Sequence, residues 1–160
     1  MPQVPTIKSI RKKAWFYSCE SIPAQLLEAI LSHFDYDISF EDEHRIGITG
    51  FPRRAIERYN TTREELLKSP YIALEKCSDF LRDALYNVRY NFPQMNIPEW
   101  YLTSLACYGI GGAEPLYFMR DETINQTWQE YINNGFPGTE FAEDVCHRWQ
   151  IETELGEFLL

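Results

Sequence analysis

The sequence lacks an apolar run long enough to cross a membrane. No stretch of its 160 residues approaches the roughly 20 apolar side chains that a bilayer-spanning helix needs. The first residues, MPQVPTIKSIRKKAW, carry basic side chains but neither an apolar core nor a small-residue cleavage site, so they do not match a secretory signal. We therefore expect a cytoplasmic protein with no membrane partner.

Cysteine and histidine are scarce, and their spacing argues against a metal centre. The four cysteines include no C-x-x-C pair, and no two of the three histidines lie four residues apart. Reduced cysteines in a cytoplasmic protein behave as small buried hydrophobic side chains, and we expect that role here. The sequence therefore predicts no metal site.

Basic residues are nearly absent from the last 60 positions. Residues 1–100 carry 13 basic and 14 acidic side chains, whereas residues 101–160 carry two basic and ten acidic ones. Direct nucleic-acid binding through this region is not expected, because phosphate contacts require Lys and Arg. A negative face attracts a positively charged partner, and Glu140, Glu143 and Asp144 are its candidate contacts. A surface that serves only solubility is the alternative.

The segment CYGIGGAEPLYF, residues 107–118, comes closest to a phosphate-binding loop. It lacks the patterns G-x-x-x-x-G-K-[ST] and G-x-G-x-x-G, and no Lys follows its glycines. A helix is predicted before the glycines and a short buried strand, PLYFM, after them, which reverses the order that a phosphate loop requires. We interpret the glycines as a helix stop with a tight turn, with Gly109 ending the helix, and expect no cofactor.

A small hydrolase is an alternative function that the sequence leaves open. Its candidate catalytic carboxylates are Glu114, in the predicted loop over residues 109–114, and Asp121, at the start of the next predicted helix. A nucleophilic cysteine with a distant histidine, for example Cys107 with His33, is another way to build such a site. Either chemistry also requires a second titratable side chain that faces the first across a cleft.

Hydrophobic periodicity predicts one α+β domain over residues 1–160, mainly α-helical, with residues 1–8 as a candidate flexible segment. About five to six helices are expected, at residues 21–34, 61–69, 70–91, 96–109, 121–135 and 139–149. A small antiparallel sheet is predicted from an N-terminal strand, residues 14–19, and a hairpin over residues 36–49. The basic cluster before that strand, residues 8–13, is interpreted as a solvated lead-in.

Arginine and tyrosine recur together in two places. One group is Arg53, Arg54, Arg58 and Tyr59; the other is Arg82, Tyr86, Arg89 and Tyr90, on one edge of the longest predicted helix. Both residue types are enriched in protein–protein interfaces, because each combines contact area with hydrogen bonding. They also stack on single-stranded bases, and an ordinary helix surface is the further alternative.

The leading hypothesis from the sequence is a non-enzymatic protein–protein interaction module, such as an inhibitor, an immunity-type protein, an adaptor or an assembly subunit. It would use the acidic C-terminal face to bind a basic protein, with the second arginine–tyrosine group as anchors. A structural subunit of a larger viral or cellular particle is a further alternative. The oligomeric state is left open.

Overall fold

The computed structural model describes residues 5–119 and 137–150 of the chain, which divides into two units, residues 1–80 and 81–160. The first unit contains α1 (Ile7–Tyr17), α2 (Ala24–His33), β1 (Arg45–Ile46), β2 (Phe51–Pro52), a 3-10 turn (Arg53–Ala55) and α3 (Arg63–Lys68). Helix α4 (Pro70–Asn91) begins in the first unit and ends in the second. The second unit also contains α5 (Ile97–Ile110), α6 (Glu114–Met119) and α7 (Thr139–Trp149). The predicted α+β class, mainly helical with a small antiparallel sheet, is confirmed.

Helix α1 corrects the prediction of a strand over residues 14–19. The side chain of Thr6 accepts a hydrogen bond from the backbone N–H of Ser9 and so caps the start of the helix. Ile10 and Ala14, four residues apart, are buried on one face. Aromatic residues favour strands locally, but the burial of this helical stripe overrides that preference.

The sheet is smaller than predicted and lies further along the chain. Strands β1 and β2 pair antiparallel, with Ile46 opposite Phe51, and Glu41 forms an isolated bridge to Ile46. The predicted first arm is wrong, because the chain turns after α2 with positive φ at Asp35 and Tyr36. The buried Leu, Ile and Ala side chains of α2 belong to the core of the first unit.

Helices α3 and α4 follow the predicted pattern. Thr62 caps α3 by accepting from the backbone N–H of Glu65, which is one of the two capping arrangements that the sequence allows. Helix α4 buries an apolar stripe along its length: Ala73, Leu74, Cys77, Phe80, Leu81, Ala84, Leu85 and Val88. On the opposite side, exposed residues lie in the second half of α4, at positions 82, 83, 86, 87, 89 and 90.

Helix α5 forms the core of the second unit. Asn96 and Glu99 make a reciprocal capping box at its start, where the sequence predicted that a helix begins. The helix ends at the glycines, but Gly111 and not Gly109 takes the left-handed conformation, with φ 77°. The strand predicted for PLYFM is wrong, since residues 114–119 form α6.

Helix α7 packs on α5 through aromatic and small side chains. The rings of Tyr108 and Phe141 lie 5.8 Å apart, and those of Tyr101 and Trp149 lie 5.0 Å apart. The helix begins after Gly138, which has φ 86°, so Thr139 is its first residue. The helix predicted over residues 121–135 lies outside the described residues.

Candidate protein-binding surface

The second half of α4 presents a surface of four side chains, which we call the α4 surface: Arg82, Tyr86, Arg89 and Tyr90. All four are exposed, because they lie opposite the buried stripe of the helix. Tyr86 is 70% exposed and Tyr90 is 77% exposed, and their rings stack with centroids 6.4 Å apart and planes 13° apart. The structure therefore brings together the residues that the sequence grouped on one edge.

The α4 surface rests on a fixed aromatic support from α5. The guanidinium of Arg89 lies over the ring of Trp100, 5.1 Å from its centroid. The indole N–H of Trp100 donates a 2.8 Å hydrogen bond to the carbonyl oxygen of Phe92, which fixes the plane of the ring. Since Arg89 is held against an anchored ring, it keeps its charge exposed while losing little conformational freedom on binding.

The three predicted acidic contacts lie on α7. Glu140 and Glu143 are exposed, and Asp144 is partly buried. At spacings of three and four residues these carboxylates share one side of the helix. The Nε of Arg148 donates to Asp144 at 2.6 Å and neutralises part of this charge. Six of the ten acidic residues between 101 and 160 lie outside the described residues.

The structure describes three of the four residues proposed for a hydrolase site: Glu114, Cys107 and His33. Glu114 is the first residue of α6 and is partly buried, while Asp121 lies outside the described residues. The side chain of Cys107 is buried in α5 with 2% exposure, and no substrate reaches a thiol at that depth without local opening. His33, which ends α2, has its ring 4.7 Å from that of Phe34 in an edge-on contact.

Burial also disfavours reaction at the thiol of Cys146, which lies in α7. Desolvation, with a smaller contribution from the charge of Glu143, raises the pKa of Cys146 to about 12. The thiolate that nucleophilic catalysis or metal ligation requires is therefore disfavoured at neutral pH. Among residues 5–119 and 137–150, no cluster of three His, Cys, Asp or Glu side chains is placed to hold a metal ion.

Arg53, of the first arginine–tyrosine group, forms an ion pair within its own unit. The Nε and Nη2 of Arg63 both donate to the carboxylate of Glu41, with Nη2 2.7 Å from Oε1. The Nη2 of Arg53 donates to the Oε2 of the same carboxylate at 2.7 Å. The hydrogen bond from Arg63 is the main reason that the pKa of Glu41 falls from 4.5 to about 2. A carboxyl shifted in this direction stays ionised, which suits an ion pair and not a general acid.

Another arginine of that group covers aromatic rings. The guanidinium of Arg58 lies 5.2 Å from the ring centroid of Tyr59 and 5.4 Å from that of Phe80. Such contacts stabilise the fold and account for the arginine–tyrosine pattern here without a partner. The two arginine–tyrosine groups of the sequence therefore differ in the structure, and only the α4 surface exposes its rings widely.

Sequence reasoning missed two exposed aromatic side chains. Trp15 is 60% exposed and Phe16 is 71% exposed, because both lie on the outer side of α1. The signal that could have revealed them is the i, i+4 pair of Ile10 and Ala14, which predicts a helix with positions 15 and 16 turned away from the core.

No family model matches the chain, and no curated protein or solved structure matches it significantly.

Proposed function

We propose that this protein is a non-enzymatic protein-binding module that uses the α4 surface as its anchor and the carboxylates of α7 to select a basic partner. The observation that carries the proposal is the exposed, stacked pair of Tyr86 and Tyr90. Two neighbouring rings of this exposure give a partner a large contact area at low entropic cost.

The composition of the α4 surface supports binding to a protein. Binding energy at protein interfaces concentrates in a few Trp, Tyr and Arg side chains, each costing about 2 kcal/mol or more when truncated to alanine. Tyr86, Arg89 and Tyr90 are residues of this kind within two turns of one helix. The support of Arg89 by Trp100 means that this part of the surface is formed before the partner arrives.

The charge of α7 supports a basic partner. Glu140 and Glu143 are exposed on the same side of a helix, in a region whose sequence carries two basic and ten acidic residues. Charges at the edge of an interface act mainly on the rate of association and on the exclusion of wrong partners. Binding is therefore expected to weaken with ionic strength, chiefly through slower association.

The test is affinity capture from the source cell, followed by measurement of the dissociation constant for the captured partner. Replacing Tyr86 and Tyr90 by alanine is expected to weaken binding at least tenfold, which corresponds to about 1.4 kcal/mol. The matched control is the loss of two exposed rings from the first unit, Trp15→Ala with Phe16→Ala, and it is expected to leave this affinity unchanged. Equal affinity for the wild type and the tyrosine variant would contradict the proposal.

A separate variant tests the proposed selection of the partner by the carboxylates of α7. Reversing Glu140 and Glu143 to lysine is expected to slow association with the same partner and to reduce its salt dependence. Charge reversal of Glu64 and Glu65, which are exposed at the start of α3, is the matched control. Unchanged association rates in the α7 variant would show that the acidic side of α7 does not select the partner.

A further inference from the structure

The outer side of α1 carries a second exposed surface, which we call the α1 surface. Its five side chains are all exposed: Lys8, Arg11, Lys12, Trp15 and Phe16. Helix α1 contains four basic residues and no acidic one. In a chain with a formal charge of −9, this is a local reversal of sign.

The α1 surface is apolar as well as basic. Trp15 and Phe16, which are neighbours in the chain, are 60% and 71% exposed. Solvating side chains of this size is unfavourable, and a cluster of them is typical of a contact surface. The combination of cations with exposed rings separates the α1 surface from a solvated lead-in, which has no reason to expose tryptophan and phenylalanine together.

Helical geometry places the tryptophan among the cations. Arg11 and Lys12 precede Trp15 by four and three residues, and Lys8 precedes it by seven, so all three lie on the same side of the helix. Ile10 and Ala14 are buried on the opposite side and attach the helix to its unit. The α1 surface is therefore presented by a helix whose orientation is fixed.

Two cations of α1 also make contacts within the first unit. The ammonium of Lys13 lies 4.8 Å from the ring centroid of Phe16 and 5.3 Å from that of Tyr71. Arg11 pairs with Glu28 at 2.8 Å, yet its side chain remains 58% exposed. An exposed ion pair of this kind is weak and leaves the guanidinium able to contact a second anion.

We propose that the α1 surface binds the anionic headgroups of a phospholipid bilayer, with Trp15 and Phe16 entering the interfacial layer. Helices that lie on membranes combine Lys and Arg with Trp and Phe in this way, and tryptophan is enriched at headgroup depth. Each cation near an anionic leaflet strengthens binding roughly fivefold. Such a contact needs no spanning helix, and it would revise the expectation that the chain has no membrane partner.

Single-stranded nucleic acid is the other polyanion that cations and aromatic rings bind together. It is held by a series of rings along a basic groove, each ring stacking on one base. The α1 surface instead exposes two adjacent rings on a helix and no series of rings along a groove, and the ammonium of Lys13 already lies over the ring of Phe16. Both features favour the bilayer, where aromatic side chains enter the interfacial layer without stacking on bases.

The test measures co-sedimentation of the full chain with vesicles of phosphatidylcholine alone and of phosphatidylcholine with about one third phosphatidylserine. Binding is expected only to the phosphatidylserine vesicles and is expected to fall as salt is added. The variant Lys8→Glu with Lys12→Glu is expected to bind at least about 25-fold more weakly, since it removes two cations. The same change at Lys68 and Lys76, which lie outside α1, is the matched control and is expected to bind much more strongly than the α1 variant.

Fluorescence tests the aromatic half of the proposal. Lipids brominated in their acyl chains are expected to quench tryptophan emission of the bound wild type, and Trp15→Phe is expected to lose most of that quenching while still binding. Far-ultraviolet circular dichroism checks that each variant folds. The proposal is overturned if phosphatidylserine vesicles do not bind the wild type, if the Lys8 and Lys12 reversal binds as well as its control, or if an oligo(dT) strand binds more tightly than the vesicles.

Discussion

Gly50 lies directly against the ring of Phe34, so closely that a Cβ at Gly50 would stand 2.1 Å from the ring Cζ. The backbone of Gly50 also has φ 57°, which L side chains rarely adopt. We predict that Gly50→Ala destabilises the protein by roughly 2–4 kcal/mol, from backbone strain together with overpacking. Chemical denaturation of the variant and the wild type measures this difference.

A double-mutant cycle separates the two causes. In Phe34→Leu with Gly50→Ala, the smaller side chain makes room for the new methyl group, so the loss is expected to be less than the sum of the two single losses. The strain at positive φ remains in the double variant, and some destabilisation is therefore expected to persist. Strict additivity of the two changes would show that the contact between ring and backbone contributes nothing.

A similar close approach joins α7 to α5. A Cβ at Gly138 would lie 2.7 Å from the carbonyl oxygen of Ala106, and Gly138 has φ 86°. Because the clashing atom belongs to the backbone, no side-chain rotation relieves it. We predict a loss of roughly 2–4 kcal/mol for Gly138→Ala and no rescue by Gly138→Asn, although Asn tolerates positive φ better. Thermal or chemical denaturation of both variants measures this, and a fully stable Asn variant would show that only φ matters.

The α4 surface could be predicted from the sequence because a single periodicity decides it. Buried positions such as Leu81 and Leu85 recur at helical spacing, and they leave Tyr86 and Tyr90 on the far side. The α1 surface could not be predicted from the sequence, because the local strand preference of its aromatic residues and the helical spacing of its buried residues indicate different structures. Trp15 and Phe16 favour a strand locally, while Ile10 and Ala14 fit a helix, and only packing against the rest of the unit decides between them.

Contacts between residues far apart in the chain could not be predicted from the sequence, for a different reason. Glu41 pairs with Arg53 and Arg63, 12 and 22 residues further along the chain. Which of several arginines reaches a given carboxylate depends on how the intervening turns fold, and composition carries no such information. The acidic character of residues 101–160 follows directly from the count of charges, but its arrangement as a face depends on positions beyond the described residues and stays a prediction.

The pair of arginines at Glu41 makes a prediction about pH. The folded state lowers the pKa of Glu41 from 4.5 to about 2, chiefly through the hydrogen bond from Arg63. A depressed pKa contributes stability that is fully present above the unfolded value and is lost as the carboxyl becomes protonated. We therefore expect Glu41→Gln to be less stable than the wild type near pH 6, with the difference shrinking as the pH falls from about 4.5 towards 2.

Urea denaturation at a series of pH values measures the difference between the two proteins. Glu43→Gln, the same change two positions along on an exposed side chain, is the matched control, and its difference from the wild type is expected to vary less with pH. Added salt should reduce the effect at Glu41 only partly, because a two-pronged arginine–carboxylate hydrogen bond persists where simple charge attraction is screened. A stability difference that stays constant between pH 6 and pH 2 would mean that Glu41 stabilises the unit through shape and not through its charge.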